Sequence, residues 1–317
     1  MDTSAPVSVA IIIPVYNGCN YLAEALRSVL SQTAPASEIF VIDDGSTDSS
    51  ADLARSFGPA ITVIQRTNHG LSASRNYAAA LATADWLAFL DHDDVYYPEN
   101  LARQTAAIAC QPDADVSYCG RTLLYAVPGT NTFVERPAPP VPLADTVSAV
   151  LLERCPFTPC SVMIKRSSFF AAGQFDSQFD GAEDWEFFLR IRALGATFVA
   201  SPEPLSKYRV HPTSLSHNAL RMLKLYIKLI DRNIFPEMTP LQRLFLGRKL
   251  KSHYIAEAAI LMREQQTPGF RAMMLRSILH HPFHSMRRYK IGTHMMLHGT
   301  QESASPESTQ SSTLQKI

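Results

Sequence analysis

No stretch of 18 consecutive apolar residues occurs in the 317-residue chain, so nothing in it reads as a membrane-spanning helix. Cysteine is scarce. Cys19, Cys110, Cys119, Cys155 and Cys160 are odd in number and scattered, which argues against a disulfide framework and for the reduced thiols of a cytosolic protein. Cys155 and Cys160 have no His or Cys pair nearby to complete a zinc site. The opening segment, MDTSAPVSVAIIIPVYNG, lacks the positive flank and small-residue cleavage site of a secretory signal. No G-x-G-x-x-G follows the first apolar run and no G-x-x-x-x-G-K-[ST] occurs anywhere, which excludes a dinucleotide fingerprint and a P-loop. No internal repeat is present. Net charge is also absent, but the zero hides an asymmetry. Up to His217 there are 14 basic and 23 acidic residues, whereas Asn218 to Thr300 holds 14 basic and 4 acidic. An acidic front and a basic back suggest two jobs in one chain.

What the chain does have is apolar content, 46% hydrophobic against 18% charged, enough for a sizeable core. Val7–Ile13 is apolar and β-branched, the pattern of a strand buried on both faces. After the break Pro14-Val15-Tyr16-Asn17-Gly18, the residues Tyr21, Leu22, Ala25, Leu26, Val29 and Leu30 recur at helical spacing. Strands are expected at Ile39–Ile42, Ile61–Ile64, Trp86–Leu90 and Asp115–Cys119, with helices near 49–57, Ser72–Leu81 and Pro98–Ala109. This alternation predicts an α/β fold with a doubly wound, mostly parallel central sheet. Further on, Pro137–Pro142 reads as a loop or extended connector, Ser161–Ile164 as a central strand, and Glu183–Leu194 as a helix closed by Gly195. Beyond His217 the pattern is helical. Thr239-Pro240 and Thr267-Pro268 are cap-and-proline helix starts, and the Ser/Thr/Gln-rich tail from Gln301 reads as disordered. The expected domains are 1–217, with a nucleotide-binding half at about 1–100 and an acceptor-side half at 101–217, then a basic helical region at 218–300 and a tail at 301–317.

Ligands in open parallel sheets bind beyond the carboxyl ends of the strands. Three polar clusters fall there: Pro14–Asn17, Asp43-Asp44, and Asp91-His92-Asp93-Asp94. Three carboxylates in four residues repel one another unless a cation or donors offset them, and hard oxygen ligands suit Mg²⁺ or Mn²⁺. The plainer reading is an acidic turn ahead of the next helix. At Asp43-Asp44 one carboxylate suffices for a turn, and Ser46, Thr47 or Asp48 can cap the helix. A second carboxylate can accept the N–H of a nucleobase, with Tyr16 stacked on it. Glu183 and Asp184 open a helix, where the dipole favours an ionised carboxylate able to act as a base. Trp185 beside them is of a type that packs against sugar rings.

The set Ile13-Pro14-Val15-Tyr16-Asn17, Ile42 to Asp48, Ser74-Arg75-Asn76, Phe89 to Asp94, and Ala182-Glu183-Asp184-Trp185 resembles family 2 glycosyltransferases in order and rough spacing, over about residues 7–217. The resemblance implies a GT-A fold, a nucleotide-sugar donor with UDP favoured, a divalent cation, and inversion at the anomeric carbon. It implies that Tyr16 and Asp44 bind the base, with Pro14 and Asn17 alongside. Asp91 would lie near the ribose and diphosphate, Asp93 on the metal, and Asp184 would be the catalytic base with Glu183 as its alternate. His92 stands where the family often has a small residue. Arg75 and Asn76 are candidates for reaching the nucleotide, although Arg75 also fits a helix-surface charge. Tyr208-Arg209-Val210-His211 resembles a loop that closes over the donor, with Arg209 on phosphate and His211 on the metal or leaving diphosphate.

Two rival readings stand beside this one. The Asp91–Asp94 run also resembles the first motif of haloacid-dehalogenase-type phosphatases, but the motif order is wrong for them. A nucleotide-sugar binder without turnover is the other. For 218–300 the expectation is peripheral contact with an anionic membrane, where a lipid-linked acceptor resides, against a solvated basic face on a helical bundle. Nucleic acid is disfavoured, because no recognised binding module accompanies the charge.

Overall fold

The computed structural model describes residues 7–130, 132–211, 218–265 and 269–280. The chain forms two compact units, Met1–Ser214 and Leu215–Ile317. In the first, β1 (Val9–Val15) is buried along its whole length, and Ile11, Ile12 and Ile13 are inaccessible to solvent. Each such side chain contributes about 1.5–3 kcal/mol on burial, which makes β1 the centre of the core. It pairs in parallel with β2 (Glu38–Asp43) and β4 (Trp86–Phe89), and β2 pairs in parallel with β3 (Thr62–Gln65). Helices α1 (Cys19–Leu30), α2 (Ser50–Arg55) and α3 (Leu71–Leu81) lie between these strands in sequence. Leu22, Ala25, Leu26 and Val29 bury one face of α1, as their spacing predicts.

The second half of the sheet is mixed. The whole sheet runs β3-β2-β1-β4, then β8 (Val162–Lys165), β6 (Val116–Ala126), β9 (Phe198–Val210) and β5 (Val95–Tyr96), with β7 (Phe133–Pro137) paired to β6. The short β5 (Val95–Tyr96) and α4 (Asn100–Cys110) precede β6, and α5 (Val147–Val150) precedes β8 (Val162–Lys165). β8 enters antiparallel to both β4 and β6. A hairpin and a proline-rich connector lead to it rather than a helical crossover, so nothing in the connection imposes parallel pairing. Next come α6 (Arg166–Ala171), α7 (Glu183–Ala193) and β9 (Phe198–Val210). Gly195 closes α7 at φ +81°, as expected.

β9 corrects the sequence reading of Tyr208–Val210 as a closing loop. These residues pair in parallel with Leu123–Tyr125 of β6. Pro202 and Pro204 disguise the strand, and a register shift at Cys119–Arg121 accommodates them. Behind the sheet, Phe89, Phe169, Phe175 and Phe187 pack at centroid distances of 5.1–5.5 Å. That cluster fixes α6 and α7 against β4.

In the second unit, α8 (Ala219–Leu229) packs on α10 (Arg248–Glu264), which packs on α11 (Phe270–His280). Thr239 caps α9 (Pro240–Gln242) with Pro240 at its first position, as expected, the structure adds a capping box with Gln242, and helical structure runs on without a break into α10. Thr267-Pro268 and the tail from Gln301 lie outside the described residues. Among the described residues, no helix is long and apolar enough to cross a membrane.

Candidate active site

The strand order reverses between β1 and β4, so the crevice at their carboxyl ends is the topological switch point of the sheet. Pro14 sits in β1 opposite Ile42 of β2. On the other side β4 ends at Phe89, beyond which a proline N–H would have had no strand to pair with. The chain then turns through Tyr16, which is 51% exposed, and Asn17, which is held at φ +50°. Asn17 Oδ1 accepts from Thr47 N at 2.8 Å, and its own N–H donates to Ser46 Oγ at 2.9 Å. Gly18 follows because a Cβ there would lie 2.4 Å from the His92 ring and 2.6 Å from Val15. This close approach locks the first polar cluster to the third.

Both carboxylates after β2 are engaged by the protein. Asp43 accepts from Ser46 N at 3.0 Å and Gln65 Nε2 at 3.1 Å, which closes the turn. Asp44 accepts from His69 N at 3.0 Å and Gly70 N at 2.8 Å and is 5% exposed. Asp48 binds Ser50 N at 3.0 Å ahead of α2 and Cys19 N at 3.2 Å at the start of α1. Asp44 thereby sets the entry to α3. Asp180, absent from the sequence reading, accepts from Ser72 N in the first turn of the same helix at 3.2 Å.

Arg75 is the centre of the site and is fully buried, which overturns the surface-charge reading. Its Nη2 donates to Asp91 Oδ1 at 2.5 Å and its Nη1 to Glu183 Oε1 at 2.6 Å. The guanidinium also lies 5.5 Å from the centre of the Phe175 ring. Glu183 Oε2 accepts from Gly181 N at 2.5 Å, so both of its oxygens are bound by the protein. Asn76 spends its amide on the backbone of Phe175, at 2.8 and 3.1 Å, and braces α3 rather than facing the crevice.

Asp91, Asp93 and Asp94 bring carboxylate oxygens within 4.8 Å of one another. Asp94 is buried, with Oδ1 on Arg209 N at 2.9 Å and Oδ2 without a hydrogen-bond partner among the described residues. Burial, then the charges of Asp93 and Asp91, push its carboxyl well up. Burial would also raise Asp93, but the His211 hydrogen bond and the charges of His92 and His211 outweigh it and hold that carboxyl down. His211 Nε2 lies 2.9 Å from Asp93 Oδ2, and its ring packs on Tyr21 at 4.9 Å. Three clustered carboxylates, one with an orphaned buried oxygen, fit a hard divalent cation. Cys155 and Cys160 do not, because burial pushes both thiols well up, away from the thiolate that binds metal.

Arg209 has protein partners. Nε donates to Asp93 O at 2.7 Å and Nη2 to Glu24 at 2.6 Å, while the guanidinium sits over Tyr21 at 4.7 Å and Phe133 at 4.3 Å. Tyr21, Glu24 and Phe133 were missed in the sequence. Tyr21 and Glu24 look like ordinary positions of an amphipathic helix, and only the fold brings β9 to them.

Asp184 is partly exposed, and among the described residues its one hydrogen bond is from Trp185 N at 2.6 Å. Burial and the Glu183 charge push its carboxyl up to about 7, against Trp185 N and Arg75. The expectation is that the dipole at the helix start favours the ionised form. Desolvation and a like charge outweigh the dipole. Trp185 is 2% exposed and donates to Leu151 O at 2.8 Å, so it is a core residue and not a sugar platform.

The protein thus has a mixed α/β sheet with a polar crevice at its switch point and an acidic triad beside it. A family model described as glycosyl transferase family 2 matches residues 10–175. An uncharacterized glycosyltransferase of Rickettsia typhi is 30% identical over 226 residues, covering 71% of this chain and 70% of the relative. Another, YibD of Escherichia coli, is 34% identical over 113 residues, covering 35% of this chain and 33% of its own. The chain belongs to glycosyltransferase family 2 and is a glycosyltransferase. Among solved structures, S. aureus TarS 1-349 in complex with UDP-GlcNAc has a TM-score of 0.62 at 18% identity, over 86% of this chain and 81% of that one. The mannosyltransferase PcManGT of Pyrobaculum calidifontis, in complex with GDP-Man and Mn²⁺, has a TM-score of 0.58 at 18% identity, over 92% and 86%. Both have the fold found here.

Proposed function

We propose that this glycosyltransferase moves a sugar from a nucleotide-diphosphate donor, UDP-linked by preference, to an acceptor hydroxyl by single displacement with inversion. The observation that carries the reading is Arg75, one buried guanidinium joining Asp91 on the crevice side to Glu183 beside Asp184. It sets donor-side and acceptor-side carboxylates about one residue, as an in-line displacement requires.

Exposed Tyr16 stacks on the base, in the pocket shaped by Pro14 and Asn17. Each Asp44 oxygen keeps a further lone pair beside its backbone donors and takes the base N–H. Asp91, held in place by the buried Arg75, faces the ribose and diphosphate, with His92 over the Gly18 turn. Asp91, Asp93 and His211 would hold Mn²⁺ or Mg²⁺, which when bound supplies positive charge to the diphosphate oxygens. Arg209 acts by fixing Asp93 and Asp94 to β9. Asp184 removes the proton of the acceptor hydroxyl. The acceptor oxygen bonds to the anomeric carbon as the bond to the diphosphate breaks, and the electron pair leaves on the nucleoside diphosphate. Glu183, with both oxygens bound, holds the start of α7 in place and leaves the base role to Asp184. On this reading 1–217 is the catalytic domain, with nucleotide-binding and acceptor-side halves meeting near residue 100. Region 218–300 contacts the inner face of the cytoplasmic membrane peripherally. The acceptor is a saccharide or lipid-linked sugar of surface polysaccharide or glycolipid assembly.

Calorimetry with UDP, GDP and dTDP, each with Mn²⁺, Mg²⁺ or EDTA, tests the donor site. UDP is expected to bind with metal and to lose its heat in EDTA, and Asp93→Asn is expected to abolish the metal dependence. Absence of binding by every nucleotide under all three conditions sinks the reading. The pH profile tests the base. Because only ionised Asp184 accepts a proton, log kcat is expected to rise with a slope of about one below a pH of about 7 and to level off above it. A profile flat from pH 5.5 to 8.5, values spanning roughly the range in which such a group titrates, removes Asp184 from the role.

A further inference from the structure

The helical run from Pro240 to Glu264 leaves large apolar side chains outside. Leu241 is 67% exposed, Leu244 45%, Phe245 57% and Leu246 55%. The inward face of the run is already committed to its own unit. A Cβ on Gly247 would lie 2.7 Å from the Phe235 ring and 2.9 Å from Met238 Sδ, so the backbone presses on that turn. Lys251 pairs with Asp231, 2.6 Å to Oδ2, and lies 5.5 Å from the Phe235 ring centre. Ser252 and Ser277 join α10 to α11 by hydrogen bonds of 2.7 and 2.9 Å. Ile255, Ala256, Ala258 and Ala259 are inaccessible to solvent. Turning the helix to hide the leucines would break all of these contacts.

Around the apolar patch stand Arg243, Arg248 and Lys249, all exposed, and no acidic residue occurs from Met238 to Ala256. We infer that the turns 241–249 are an interfacial anchor for an anionic lipid bilayer. Leu241, Leu244, Phe245 and Leu246 enter the boundary between headgroups and acyl chains, while Arg243, Arg248 and Lys249 meet lipid phosphates. The surface offers both apolar side chains and cations, which match the apolar and anionic layers of the leaflet. A second copy of the chain fits less well, because a self-complementary contact sets the three cations against their own counterparts with no carboxylate in the segment to offset them. The inference rests on the peripheral-contact reading of 218–300 and names its surface.

The test is co-sedimentation of the full chain with phosphatidylcholine vesicles, with and without phosphatidylglycerol. Wild type is expected on the anionic vesicles only, and Leu244→Ser/Phe245→Ser is expected to lower the partition coefficient by about tenfold or more, with thermal unfolding unchanged. Arg248→Ser/Lys249→Ser is expected to weaken binding at low salt and to flatten its salt dependence. Wild type that sediments with neither vesicle overturns the peripheral reading itself. A Leu244/Phe245 variant that binds like wild type leaves that reading standing and overturns this surface. A wild-type dimer that the same variant converts to monomer, without vesicle binding, assigns the patch to a protein interface instead.

Discussion

Asp184→Asn is expected to lower turnover by about 10²–10⁴-fold and to leave nucleotide affinity within about twofold of wild type. The side chain keeps its shape and can still accept from Trp185 N, so α7 begins as before. What is lost, on the proposed reading, is the group that takes the acceptor proton. Steady-state kinetics with the donor that calorimetry selects, together with calorimetry of the variant, separates the two effects. The residual rate should no longer follow the ionisation near pH 7. A variant that binds nucleotide and turns over at the wild-type rate places the base elsewhere. Glu183→Gln differs in kind. It leaves the Arg75 cation short of a carboxylate, so its damage should register in stability as well as in rate.

Arg75→Met carries the second large effect, and the readout is stability. The guanidinium neutralises Glu183, which is 4% exposed, and Asp91. Removing it strands carboxylates away from water, and breaking a buried pair costs about 3–5 kcal/mol. For a unit of this size that corresponds to a fall in Tm of about 10 °C. Both tryptophans, Trp86 and Trp185, lie in the first unit, so their fluorescence reports its unfolding directly. Arg75→Lys should recover only part of the loss, because one ammonium cannot present two separate N–H groups at 2.5 and 2.6 Å to carboxylates on opposite sides. A Met variant with unchanged Tm would show that the three charges are solvated and independent.

Much of the fold was legible along the chain. The buried run of β1, the helical spacing of α1, the turn after β2 and the strand before Asp91 each carry a local period or break, and each element lies within a few residues of its expectation. The helix start at Thr239-Pro240 was legible for the same reason, since cap and proline are adjacent residues. β9 was not, because its prolines contradict strand propensity and it is pairing with β6 and β5 that holds it extended. Trp185 misled because its neighbours are polar, while its own burial depends on α7 meeting Leu151.

The sequence by itself determined which residue types stand at the carboxyl ends of β1, β2 and β4, because strand, break and polar turn are encoded within a few consecutive residues. Only the tertiary structure decided what those side chains do to one another. Arg75 reaches Glu183 across 108 positions, and Arg209 reaches Glu24 across 185. Burial and the Glu183 charge raise Asp184, whereas the His211 hydrogen bond and the charges of His92 and His211 overcome burial and lower Asp93, and His211 reaches Asp93 only once those distant segments meet.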